Sequence, residues 1–179
     1  MLPPLNPVVT INSLDLLTSD PPLLEDSRQK FLRFSLGSQD SGMLPLEKIS
    51  EVLSVAVADI LPVPEMPSCV LGIYNWRGKM LWLIDLEHFA DSPLLSQQGR
   101  GLDSLRAMVI QIEGQYMGLV VQYINDIELY DAEQLQPPLR GLFPPRLLPF
   151  VKGYLPGGNG IVLDIEAIAR FPMWQVHRG

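Results

Sequence analysis

The sequence predicts a mainly β protein made of two degenerate copies of one small, closed or nearly closed barrel. Three observations carry this. Short apolar segments with strand alternation follow one another at brief intervals, separated by glycine and proline. The order of segments in residues 31–91 returns in residues 107–170. Both copies also end in the same hairpin-like pattern, Val70-Leu71-Gly72 through Leu83-Ile84-Asp85-Leu86 and Val151-Lys152-Gly153 through Gly160-Ile161-Val162-Leu163-Asp164-Ile165. Two copies are too few for a solenoid, and closure removes the exposed edges of a small sheet.

Residues 1–28 are a poor start for a fold. They hold Pro3, Pro4, Pro7, Pro21 and Pro22, and the residue before a proline is pushed out of helix. They read as an extended leader, with one helical turn possible over Ile11–Leu17. The body is expected over 29–174, with a short tail at 175–179. Phe31, Arg33 and Ser35 alternate against Leu32, Phe34 and Leu36, which is strand period. Met43–Leu46 reads as a second strand. Glu47–Val57 has Ile49, Val52 and Leu53 at helix-like spacing, although its β-branched residues leave a strand open. Pro62, Pro64 and Pro67 make a rigid connector.

Val70–Asp85 reads as two strands joined by a tight turn at Arg77-Gly78. Glycine supplies the positive φ such a turn needs, and Asn75 is placed to hydrogen-bond the turn backbone. A two-residue loop sets Ile73 opposite Trp82 and Tyr74 opposite Leu81. One pair then faces the barrel interior and the other faces outward, where aromatic residues form a docking patch or are covered by the rest of the chain. Gly72 lies mid-strand, which suggests close approach of another backbone or a bend at a barrel corner. Leu86–Asp91 reads as a short helix, and residues 92–104 as a polar loop. Met108–Gly114, Gly118–Val121, Ile124–Ile127, the prolines at 137–145 and the final hairpin then repeat the series. Glu166–Arg170 repeats the short helix, and Trp174 reads as closing the second barrel.

The chain of 179 residues is 47% hydrophobic, enough to bury a core. Its net charge of -7 argues against nucleic acid, which is bound by clustered Lys and Arg. One cysteine, Cys69, excludes an internal disulfide and points to a reducing compartment. There is no basic stretch before an apolar run at the N-terminus, and no apolar run long enough to cross a bilayer. A cytoplasmic protein without membrane insertion is expected.

Nothing in the sequence points to catalysis. The two histidines, His88 and His177, lie far apart, and no metal-ligand, nucleophile or phosphate-loop motif occurs. Asp85 and Asp164 take equivalent places in the two copies, at strand ends before helices, which makes them helix N-caps. Gly157-Gly158-Asn159-Gly160 lacks the Lys-Ser/Thr of a phosphate loop and reads as a hairpin turn.

Gly72, Asn75, Arg77, Gly78, Asp85 and Leu86 together resemble the hallmark of the CheW-like family, the adaptor domains of bacterial chemotaxis arrays. That hallmark runs G-x-x-N-x-R-G, then an apolar strand, then D-L. The resemblance covers nearly everything after the leader. It implies two intertwined five-stranded SH3-like barrels with short helices, no catalytic activity, no cofactor and no metal. It also implies a scaffold between the regulatory domain of a CheA-type histidine kinase and the cytoplasmic tip of methyl-accepting chemoreceptors. The alternative is a stand-alone CheW-like interaction module whose array partners are lost or exchanged. By the same resemblance Glu51 pairs with Arg77 and braces the docking surface. The residues expected at that surface are Ile49, Glu51, Val52, Gly72, Tyr74, Asn75, Trp76, Arg77, Gly78, Val120 and Val121. The chain departs from the family at Trp76, at Trp82-Leu83, where relatives carry Pro-Val, and at Gln122, where an aspartate is usual.

Overall fold

The computed structural model describes residues 26–38, 40–93, 95, 102–157 and 160–171. The leader to residue 25, most of the polar loop, Gly158-Asn159 and the expected position of Trp174 lie outside them. Among the described residues, ten strands form two five-stranded sheets. The first has the order β8 (Ile124–Tyr130), β1 (Gln29–Leu36), β2 (Asp40–Pro45), β10 (Gly160–Leu163), β9 (Val151–Leu155). The second has the order β3 (Ile49–Ala56), β6 (Ser104–Ile112), β7 (Gln115–Val121), β5 (Lys79–Asp85), β4 (Val70–Trp76). Each sheet therefore mixes strands from both halves of the chain. Parallel pairing of β2 with β10 and of β5 with β7 joins the halves, while the other neighbours are antiparallel. These are the two intertwined SH3-like barrels.

The stretch with helix-like spacing is a 3-10 turn at Leu46–Lys48 followed by strand β3. The reason is a bulge between Ile49 and Glu51. A bulge adds one residue to a strand, so the apolar side chains on either side of it fall three and four apart instead of two. Ile49 packs on the core between the barrels, while Leu53 and Val55 belong to the second barrel's interior.

Both sheets are closed at a seam by the same device. Leu61, beyond β3, exchanges two hydrogen bonds with Ile73 of β4, at 2.9 and 2.8 Å. Gln136, beyond β8, does the same with Tyr154 of β9, at 2.9 Å each way. The residues just before the two partners are Gly72 and Gly153. A Cβ on either would overlap the carbonyl oxygen of Leu61 or Gln136, and Gly72 has φ +143. Close backbone approach at a barrel corner is thus the reason for Gly72.

The largest core lies between the barrels. Leu32, Phe34, Leu36 and Leu44 of the first sheet pack there with Ile84, Met108, Ile110, Met117, Leu119 and Val121 of the second. Alternation sends the intervening residues into the barrels. Val55, Leu81, Leu83, Val109 and Val120 fill the second, and Phe31, Met43, Leu155 and Val162 fill the first.

Asp85 and Asp164 cap the helical turns after β5 and β10, as expected. Asp85 accepts from the Glu87 N–H at 3.0 Å and from the Leu95 N–H at 2.9 Å. Asp164 accepts from the Ala167 N–H at 3.0 Å, at the start of α1 (Ile165–Ala169). Glu87 is also buried and accepts from the Gly37 N–H at 2.7 Å, which ties the turn after β1 to the end of β5. Burial pushes the Asp85 carboxyl up to about 6 and raises that of Glu87.

Candidate protein-docking surface

The hairpin β4–β5 turns through two residues. Trp76 pairs with Lys79, and Arg77 and Gly78 between them have φ 53 and φ 76. Positive φ at both central positions matches the twist of a two-residue hairpin. Asn75 supports the turn by accepting the Gly78 N–H at 3.0 Å. Ile73 stands opposite Trp82 and Tyr74 opposite Leu81. Leu81 points into the second barrel with Tyr74 packed against it, so Ile73 and Trp82 take the other face, where both are half-buried.

This turn carries Arg77 to Glu51. The Arg77 Nη2 lies 2.9 Å from Glu51 Oε2, as the resemblance implied. The Trp76 indole N–H donates to the same Glu51 oxygen at 3.0 Å. The Arg77 guanidinium sits 5.4 Å from the centre of the Trp76 ring, within range of a cation–π contact. Trp76 in turn meets Tyr116 at 4.8 Å, and the Lys79 ammonium lies 5.1 Å from the Tyr116 ring. Two cations thus flank two aromatic rings at one end of the second barrel, and Glu51 reaches both Arg77 and Trp76. The Arg77 side chain is 71% exposed and that of Glu51 32%.

The other expected residues divide by exposure. Asn75 and Gly78 are exposed with Arg77, Val52 is 43% exposed, and Ile49 and Tyr74 are half-buried. Gly72, Trp76, Val120 and Val121 are buried and lie beneath the exposed residues. β7 is the central strand of its sheet, so one face of it packs inside the barrel and the other on the core between the barrels. Val120 lies on the first and Val121 on the second. Trp76 is 8% exposed because its ring completes the barrel interior.

Tyr116 and Lys79 were not singled out from the sequence. Lys79 follows directly from the two-residue turn, whereas Tyr116 comes from the other half of the chain and has no local signal. A second ion pair was also missed. Arg33 of β1 meets Glu128 of β8 through two bonds, at 2.7 and 2.8 Å, and Tyr130 bonds to both. The guanidinium holds the Glu128 carboxyl below the usual range. Among the described residues no group of three His, Cys, Asp or Glu side chains is placed to hold a metal ion, and no helix is long and apolar enough to cross a membrane.

The CheW-like domain family matches this chain over residues 30–172. The chemotaxis protein CheW of Klebsiella aerogenes is 28% identical over 110 residues, which cover 61% of this chain and 61% of that protein. Protein FrzA of Myxococcus xanthus is 29% identical over 115 residues, covering 63% of this chain and 67% of FrzA. Among solved structures, the scaffolding protein TtCheW from Thermoanaerobacter tengcongensis superposes with a TM-score of 0.64 at 26% identity, over 77% of this chain and 90% of that one. The chain belongs to the CheW-like family.

Proposed function

We propose that this protein is a cytoplasmic, non-catalytic adaptor of chemotaxis or motility signalling. In this reading it couples the regulatory domain of a CheA-type histidine kinase to the cytoplasmic tip of methyl-accepting chemoreceptors. The observation that carries the reading is the Glu51–Arg77 pair, held at a two-residue turn with its charged end exposed. The likeness to CheW proteins and to the scaffolding protein TtCheW supports it.

A carboxylate holds the Arg77 guanidinium in place before a partner arrives, which reduces the entropy lost on docking. Val52 and Ile49 supply apolar surface on the strand that carries Glu51. An adaptor transmits a signal only if its contacts differ between the on and off states of its partners.

The test is ternary assembly. The protein is mixed with a co-encoded kinase regulatory domain and a receptor-tip fragment, and the complexes are sized. The expected result is a complex of all three that does not form when the adaptor is left out. Binding to neither partner would favour the stand-alone interaction module instead.

A further inference from the structure

We propose that Asp85 and Glu87 form a pH-sensitive clasp between the two barrels, closed while the pair retains a proton and loosened as rising pH leaves both carboxylates charged. Both are buried, at 0% and 3% exposure. Each holds backbone from another part of the chain. Asp85 accepts the Glu87 N–H, which fixes the 3-10 turn Leu86–Ala90, and it also accepts the Leu95 N–H. Glu87 reaches from that turn to the first barrel and accepts the Gly37 N–H, between β1 and β2. The Gln122 backbone, between β7 and β8, is its second hydrogen-bond partner. The fit is close, since a Cβ on Gly37 would stand 3.3 Å from Ser92 Oγ and 3.4 Å from Ala90 Cβ. The turn follows β5, whose other end starts beside Arg77-Gly78, so the clasp sits at the root of the hairpin that carries Arg77.

Buried carboxylates are ordinarily paired with cations, and these two are not. Neither enters an ion pair among the described residues. The strands packed against the turn are β1 and β7. No Asp, Glu, Lys or Arg occurs in β7, and the charged residues of β1, Lys30 and Arg33, stand toward its other end, with Arg33 bonded to Glu128. His88 on the same turn answers first to burial, then to Arg146 and Asp91. Cys69, before β4, brings a thiol that burial raises and the Asp85 charge raises further. Burial likewise raises the Glu87 carboxyl, and the Asp85 charge adds to it. Groups of this kind are retained as acids in the closed fold and ionise on reaching water, so opening becomes easier as pH rises.

The test is amide hydrogen exchange of the full chain, followed by NMR at several pH values and corrected for the intrinsic rate. Opening that returns Asp85 from about 6 to 3.8 should lower the protection of Leu95 about tenfold between pH 5 and pH 7.5. Gly37 should lose protection in the same direction, and both amides should exchange faster than Leu119 of the shared core at every pH. In an Asp85→Asn/Glu87→Gln variant the trend should vanish at both. Flat protection in the wild type, a trend that survives in the variant, or exchange of Leu95 and Gly37 only as fast as Leu119 would overturn the proposal. Side-chain carboxyl carbon shifts of the wild type give a second reading that needs no variant. Titration of Asp85 and Glu87 at ordinary carboxyl values would overturn the proposal as well.

Discussion

The carboxylate of Glu51 is held by two donors of opposite character, the exposed guanidinium of Arg77 at 2.9 Å and the buried indole of Trp76 at 3.0 Å. The ion pair thus has one end fixed in the barrel core. Trp76→Phe keeps a ring in the core and removes the indole donor. A hydrogen bond to a charged group contributes about 1.5–3 kcal/mol, and partial exposure of Glu51 places the expected loss near the lower end. Glu51→Gln still accepts from the indole and should lose less. Chemical denaturation of both variants checks the order.

The seam glycines should be far less replaceable than the turn glycine. Gly72→Ala or Gly153→Ala forces a Cβ onto a backbone carbonyl that is itself hydrogen-bonded, and at Gly72 adds a strained φ. Strain and overpacking of this kind together cost about 2–4 kcal/mol. Gly78 has open space where its Cβ would stand, so Gly78→Ala should cost about 1 kcal/mol from φ alone. Thermal melts of the three variants measure the contrast.

Stability should depend on pH through Asp85. Its carboxyl is raised from 3.8 to about 6 by burial. A carboxyl raised on folding favours the folded state while protonated, and that contribution is lost as pH rises through the folded value. A shift of this size corresponds to roughly 3 kcal/mol. The stability difference between the wild type and Asp85→Asn should therefore shrink by an amount of that order from pH 4 to pH 7. Denaturant titrations of both proteins across that range test the sign, since a growing difference would contradict it.

The two barrels should unfold together. Leu119 is fully buried in the core that both sheets share, so Leu119→Ala should cost about 2–5 kcal/mol and lower one common transition. Far-UV circular dichroism and tryptophan fluorescence should give coincident curves. Two separated transitions would mean that the barrels are independent.

Much of the site was legible in the sequence because its geometry is local. Arg77-Gly78 sets the register of Ile73 and Trp82, Asn75 supports the turn, and Asp85 and Asp164 follow strands as caps. Gly72 was legible as a close approach, although its partner Leu61 was not. What could not be read locally was long-range pairing. The bulge at Ile49/Glu51 gave a strand the spacing of a helix, and the exchange of strands between sheets brought Tyr116 of the second half against Trp76 of the first. The burial of Val120 and Val121 follows from the central place of β7, which no local pattern announces.

The most direct measurement is the affinity of Arg77→Ala for a co-encoded CheA-type regulatory domain or receptor-tip fragment, taken together with its melting curve. Arg77 is largely exposed, so the variant should lose no more than about 1 kcal/mol of stability. At an interface, truncating a well-placed arginine costs about 2 kcal/mol or more, roughly thirtyfold in affinity. The expected result is a near-normal melt with binding weakened about thirtyfold. A variant that melts much earlier, yet binds with wild-type affinity in its folded fraction, would make Arg77 a structural residue and contradict the docking surface.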